Sequence, residues 1–139
     1  MTLRHRVLVV DDETSMRELL EIILGGDGYE VQTRPDVDAA VACLGDQNFD
    51  AVLTDLRIGP DRDAGMRLLS WLSEHAPDTP AIMMTAYGSV ETAIEAMKRG
   101  ASDYIMKPFK NDEVRLVMRR AIEQRNLVRE NVALKRAQA

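Results

Sequence analysis

Val7-Leu8-Val9-Val10-Asp11-Asp12 is an apolar run closed by two carboxylates. The pattern returns three times. Ala51-Val52-Leu53 leads to Asp55, Ala81-Ile82-Met83-Met84 to Thr85, and Tyr104-Ile105-Met106 to Lys107. Short continuous apolar runs, without polar alternation, are the mark of strands buried on both faces of a parallel sheet. Parallel strands share one carboxyl edge, so the polar residues ending these runs emerge on the same side. Three carboxylates, a hydroxyl and an ammonium are therefore expected to converge on one crevice.

The segments between the runs carry helical spacing. Met16, Leu19, Leu20, Ile23 and Leu24 form one stripe, which Gly25-Gly26 ends. Tyr29 to Thr33 reads as a short strand, with Pro35 placed to open a second helix bearing Val37, Ala40, Val41 and Leu44. Gly65, Leu68, Leu69 and Leu72 mark a third helix. Ser89 is the expected N-cap of a fourth, which carries Val90, Ala93, Ile94 and Met97 and closes at Gly100. Asn111 or Asp112 opens a fifth, with Val114, Val117, Met118 and Ala121 on its apolar face. Five strands, each followed by a helix, predict an α/β fold: a flavodoxin-like (βα)5 doubly wound parallel sheet in the order 2-1-3-4-5. In that order ligands bind between the first and third strands, where the strand order reverses. The acids all follow those two strands. The second strand, at the far edge, ends in Thr33-Arg34-Pro35 and offers no site group.

Composition narrows the setting. A chain of 139 residues suits one domain, expected over residues 1–124, with a helical linker over 125–139. No apolar run reaches the roughly 18 to 20 residues that span a bilayer. The opening Met1-Thr2-Leu3-Arg4-His5-Arg6 runs straight into a strand, so no signal peptide is expected. The single cysteine, Cys43, fits a reducing cytoplasm and sits in a helical pattern as a buried, inert thiol. Net charge is −5, split into +3 over residues 111–139 and −8 over the rest. Such an acidic body argues against direct nucleic-acid binding, and no membrane partner is expected. Leu127, Asn131 and Leu134 continue an apolar spacing to the end of the chain, open to a coiled coil or to a solvent-exposed extension.

Three carboxylates held together repel one another, and a divalent ion with oxygen ligands relieves the conflict. Mg2+ suits a few carboxylates together with waters and a phosphoryl oxygen. Asp12 alone also reads as a cap for the first helix. Asp55 ends the central run, where its carboxylate can attack phosphorus and form an aspartyl phosphate. Lys107 would balance charge on the transferring group, and Thr85 would donate its hydroxyl to a phosphoryl oxygen. Ala86 is small and leaves room for phosphorus to approach. Pro108 sets a turn behind Lys107, and an X-Pro bond permits a cis peptide. Tyr104 is the only aromatic on its strand.

Taken together, these positions resemble the receiver domain of a bacterial two-component response regulator, over residues 5 to about 124. The resemblance implies that Asp55 accepts a phosphoryl group from a sensor histidine kinase. It implies Mg2+ held by Asp11, Asp12, Asp55 and the backbone carbonyl of Arg57. Thr85 and Tyr104 become the switch pair, and the responding surface is the fourth helix, fifth strand and fifth helix. No activity beyond self-catalysed transfer and dephosphorylation is implied, so the chain is not expected to be an enzyme. The stretch Met84-Thr85-Ala86-Tyr87-Gly88-Ser89-Val90-Glu91-Thr92-Ala93, then Gly100-Ala101-Ser102-Asp103-Tyr104, is similar to receivers of the nitrogen-regulator type, found in sigma-54 activators. In those proteins an ATPase domain and a DNA-binding domain follow, and the tail here resembles the linker to them. The output domains are absent from this chain, which implies a fragment of a longer regulator. A homodimer is expected through the responding surface or through the C-terminal helix.

One stretch departs from the family. Leu56-Arg57-Ile58-Gly59-Pro60-Asp61-Arg62-Asp63-Ala64-Gly65 is about two residues longer and more charged than the usual Met-Pro loop. Arg57 and Tyr87 are bulky enough to shield an acyl phosphate from water. Competing readings fit less well. A haloacid-dehalogenase-type phosphatase wants Asp-x-Asp-x-Thr, where this chain has Asp11-Asp12-Glu13-Thr14. A flavin or nucleotide binder wants a Gly, Ser or Thr loop after the first strand. A stand-alone or phosphorylation-independent receiver-like interaction module has no need of the full acidic, hydroxyl and lysine set.

Overall fold

The computed structural model describes residues 4–86 and 88–138, with side chains as far as Leu127. Strands and helices alternate as β1 (Arg6–Val10), α1 (Thr14–Gly26), β2 (Glu30–Arg34), α2 (Val37–Asp46), β3 (Ala51–Asp55), α3 (Ala64–His75), β4 (Ala81–Thr85), α4 (Val90–Lys98), β5 (Asp103–Met106) and α5 (Asn111–Gln138). The five strands form one sheet, all parallel, in the order β2-β1-β3-β4-β5. This is the flavodoxin-like order expected from the sequence.

Side chains alternate across each strand, so the sheet feeds two cores. Leu8, Val10, Val52 and Met83 meet Leu68, Leu69 and Leu72 of α3 on one face. Val7, Val9, Leu53, Ile82 and Met84 meet Leu20, Ile23 and Leu24 of α1 and Val117 and Met118 of α5 on the other. Burying a leucine such as Leu20 or Leu68 contributes about 1.5–3 kcal/mol, so these stripes fix the helices on the sheet.

Several local expectations resolve differently. The second helix is capped by Asp36, whose carboxylate accepts from the Ala39 N–H at 2.8 Å, and helical residues begin at Val37. Pro35 therefore precedes the cap rather than opening the helix. Leu19 lies at the margin of the α1 stripe and is partly exposed. The α4 stripe is not buried: Val90, Ile94 and Met97 are 76%, 49% and 48% exposed, and only Ala96 of that helix is fully covered. Helix α4 stands instead on its termini. Ser89 and Thr92 form a reciprocal capping box, with Ser89 Oγ accepting from the Thr92 N–H at 3.1 Å and Thr92 Oγ1 accepting from the Ser89 N–H at 2.8 Å. At the other end Gly100 takes φ +106° while its N–H bonds the Met97 carbonyl and that of Ala101 bonds the Ala96 carbonyl, a Schellman closure that needs a residue free of Cβ strain.

Helix α5 is one unbroken element of 28 residues. Val114, Val117, Met118, Ala121 and Ile122 pack it on the sheet, and Arg125 ends this docked run at 6% exposure. The Arg125 guanidinium donates to Asp50 Oδ1, while Asp50 Oδ2 accepts from the Arg6 N–H at 2.8 Å and lies 3.6 Å from His5 Nδ1. Asn131 and Leu134, the further members of the tail spacing, have side chains outside the described residues.

A candidate phosphoryl and metal site at the carboxyl edge

Strand register brings the site together. Val10 pairs with Thr54, Asp55 with Met84, and Thr85 with Met106. The residues that end β1, β3 and β4 and follow β5 consequently stand side by side. Asp55 and Thr85 are the last residues of their strands, and Asp11 and Lys107 come one step after theirs. Tight packing holds the β3 edge: a Cβ on Gly65 would stand 2.7 Å from the Asp55 carbonyl oxygen and 2.9 Å from Leu56 Cα. The bare glycine lets α3 start directly beneath the site.

Lys107 Nζ donates to Asp11 Oδ2 at 2.8 Å and to Asp55 Oδ2 at 2.9 Å. The Lys107-Pro108 peptide is cis, and the Lys107 N–H bonds the Thr85 carbonyl at 2.9 Å. The second oxygens of both acids meet backbone donors. Asp11 Oδ1 accepts from the Glu13 N–H at 2.9 Å, and Asp55 Oδ1 from the Arg57 N–H at 3.3 Å. Asp11 is fully buried and Asp55 is 7% exposed, whereas Asp12 is open to solvent. Asp12 does not cap α1. Its Oδ2 accepts from the Gly59 N–H at 3.0 Å, across the crevice.

Among the described residues, Asp11, Asp12 and Asp55 each offer an oxygen within 4.8 Å of the others. Asp12 and Asp55 border a cavity of about 220 Å3, which Glu13, Arg57, Gly59, Ala86 and Lys107 also line. Three carboxylates face one ammonium, and the electrostatics follow from that imbalance. Burial pushes the Asp55 carboxyl above its ordinary range, with the charge of Asp11 adding to it and Lys107 pulling the other way. Burial alone would lower the Lys107 ammonium, but its hydrogen bonds to Asp11 and Asp55 outweigh that and raise it. Lys107 is thus firmly cationic, and the excess negative charge remains. An all-oxygen donor set with surplus negative charge and room for waters fits a small hard divalent cation such as Mg2+.

Two further expected members stand on β4 and β5. Thr85 is fully buried at the end of β4, beside exposed Ala86. Tyr104 is half-buried on β5, its hydroxyl 3.2 Å from Thr92 Oγ1 in the first turn of α4. Tyr87, expected to flank the site, lies outside the described residues. Sequence reasoning missed Gly59 and Thr92. The Gly59-Pro60 pair does mark a turn, but nothing local says that the turn reaches Asp12.

Residues 7–119 match the model of the response regulator receiver domain. The chain belongs to that family. Among its relatives, the regulatory protein AtoC of Escherichia coli is 38% identical over 130 residues, covering 94% of this chain and 28% of that protein. Solved NtrX from Brucella abortus superposes with a TM-score of 0.88 at 38% identity, over 96% of this chain and 30% of that one. A beryllofluoride-activated NtrC4 receiver domain dimer does so at 0.81 and 35%, over 86% of this chain and 98% of that one. The homologues are NtrC-type regulators, and this receiver spans less than a third of the length of the curated relatives it matches. No helix among the described residues is long and apolar enough to cross a membrane.

Proposed function

We propose that this receiver accepts a phosphoryl group on Asp55 from the phosphohistidine of a sensor histidine kinase. The observation that carries the reading is the Lys107 ammonium bridging Asp11 and Asp55, with the Asp12 carboxylate within reach, at the rim of one cavity. Mg2+, held by Asp11, Asp12, Asp55 and the Arg57 backbone carbonyl, would supply the positive charge that lets a phosphoryl group enter. An Asp55 carboxylate oxygen forms the new bond to phosphorus as the donor's N–P bond breaks and its electron pair stays on the imidazole. Lys107 then exchanges its Asp55 contact for a phosphoryl oxygen and keeps Asp11. Thr85 donates its hydroxyl to another phosphoryl oxygen.

The switch follows from what Thr85 and Tyr104 adjoin. As Thr85 is drawn to the phosphoryl group, Tyr104 leaves Thr92 and turns inward, loosening its tie to the first turn of α4. The face of α4, β5 and α5 then changes shape. That face already exposes Val90, Ile94, Met97 and Met106, which supports homodimer formation there or along the C-terminal helix. Residues 1–124 act as the receiver and 125–139 as the linker to output domains, in a cytoplasmic regulator of the sigma-54-activator type.

Labelling with radioactive acetyl phosphate tests the reading. Incorporation should require Mg2+ and vanish in Asp55→Asn. Label retained in that variant would place the acceptor elsewhere. Solution mass with and without an acyl-phosphate mimic and Mg2+ should report a shift in assembly.

A further inference from the structure

The long loop after β3 is a built turn rather than slack chain. Ile58 and Asp61 form an antiparallel bridge, each N–H bonding the other's carbonyl at 3.0 Å. Gly59 takes φ +56° between them and Pro60 follows, the glycine-first order of a type II′ turn. Both ends of the turn are tied down. Ile58 is buried in the α2–α3 core, and the Asp61 carboxylate pairs with Arg67 of α3 while accepting from the Asp63 N–H at 3.0 Å. From this anchored position the Gly59 N–H points across the crevice to Asp12 Oδ2.

Asp12 needs such a partner. Asp11 and Asp55 are buried and each is held by Lys107 and a backbone N–H, whereas Asp12 is exposed and repelled by both. A single N–H on one oxygen leaves the carboxylate further lone pairs for a cation. Hydrogen bonds from outside the ligand set commonly orient metal-binding carboxylates, and their loss typically costs 10- to 100-fold in affinity.

We infer that the Ile58–Asp61 turn is a strap whose Gly59 N–H positions Asp12 for the divalent cation and thereby sets the affinity of the site for it. Gly59 is a positioning residue here, acting through Asp12. The inference rests on the metal-site reading above.

Calorimetric titration of MgCl2 into the full chain tests it, with circular dichroism of each metal-free protein to establish that it is folded. Deleting Gly59 and Pro60 removes the donor and should raise the Mg2+ dissociation constant about tenfold or more. Gly59→Ala meets no atom within 4 Å of the new Cβ and disturbs only the backbone conformation, so it should fold and raise the constant several-fold. In an Asp12→Asn background the same changes should add less than about twofold, because the strap then has no carboxylate to orient. Folded variants that bind Mg2+ as the parent does would overturn the strap alone, as would an equal loss with and without Asp12. A parent that binds no Mg2+ would overturn the metal site as well.

Discussion

Neutralising Asp55 should stabilise the metal-free protein and remove most of its response to Mg2+. In Asp55→Asn the chain keeps its shape and loses one charge. Lys107 lies 2.9 Å from Asp55, an attraction of about 6 kcal/mol at an effective dielectric constant near 20. Against it stand burial of the carboxylate, the largest cause of its raised carboxyl, and the charge of Asp11, whose oxygen lies within 4.8 Å and repels by at least about 3.5 kcal/mol on the same scale. Lys107 outweighs Asp11 alone, and burial tips the balance, leaving a net cost on the order of 1 kcal/mol against the charge, consistent with the raised Asp55 carboxyl. The variant should therefore melt about 4 °C above the parent in EDTA at neutral pH. Mg2+ at tenfold its dissociation constant should add about 1.4 kcal/mol to the parent and less than half of that to the variant. The sign with pH follows from the raised carboxyl. Between the ordinary value of 3.8 and the higher folded value, the native state holds a proton that the unfolded state has released. Parental stability from this group thus falls as pH rises through that window, and the gap to Asp55→Asn should close as pH drops toward 3.8. Thermal melts by circular dichroism, with and without Mg2+ at several pH values, read all three. A variant that melts below the parent in EDTA, or keeps its full Mg2+ increment, would refute the charge-imbalance account.

Lys107→Met leaves three carboxylates with no ammonium and should cost about 3–5 kcal/mol in urea unfolding without metal, part of it recovered when Mg2+ is added. Gly65→Ala drives a methyl to within 2.9 Å of Leu56 Cα and 2.7 Å of the Asp55 carbonyl, so the backbone must shift. A loss of about 1–3 kcal/mol in the same assay is expected. Tyr29 has its hydroxyl raised above 10.0 by burial and by the charge of Asp27. The native state keeps that proton longer than the unfolded chain, so stability falls as pH climbs past 10.0. Tyr29→Phe should flatten the alkaline fall in melting temperature between about pH 9 and pH 11.

The parts of the fold readable from sequence are those written in local pattern. Val7–Val10, Ala51–Leu53 and Ala81–Met84 announce buried parallel strands by composition alone, and strand-end polarity then points to Asp11, Asp55, Thr85 and Lys107. Periodicity locates an apolar stripe on a helix but does not say whether anything covers it. Leu68, Leu69 and Leu72 are buried, while Val90, Ile94 and Met97 at equally good spacing face solvent. Pairings between distant residues leave no local trace either. Asp50 with Arg125 and Asp12 with Gly59 both depend on where the finished sheet places their backbones. The start of α2 differs in kind, because the Asp36 carboxylate, an acceptor three residues before the Ala39 N–H, is readable as a cap from the local sequence alone.

Lys107 and Asp11 meet across 96 positions of chain, and Lys107 and Asp55 across 52. During synthesis at roughly 5–20 residues per second, Asp11 precedes its counter-ion by roughly 5 to 20 seconds. Over the last 52 positions of that interval, once Asp55 has been added, the growing polypeptide carries all three acids without the ammonium that bridges two of them, which opposes early closure of β1 against β3. Contacts of such wide separation also form late in refolding. Charge balance and completion of the sheet are consequently a single event, and a product truncated before β5 would keep the carboxylates but have no ammonium to balance them.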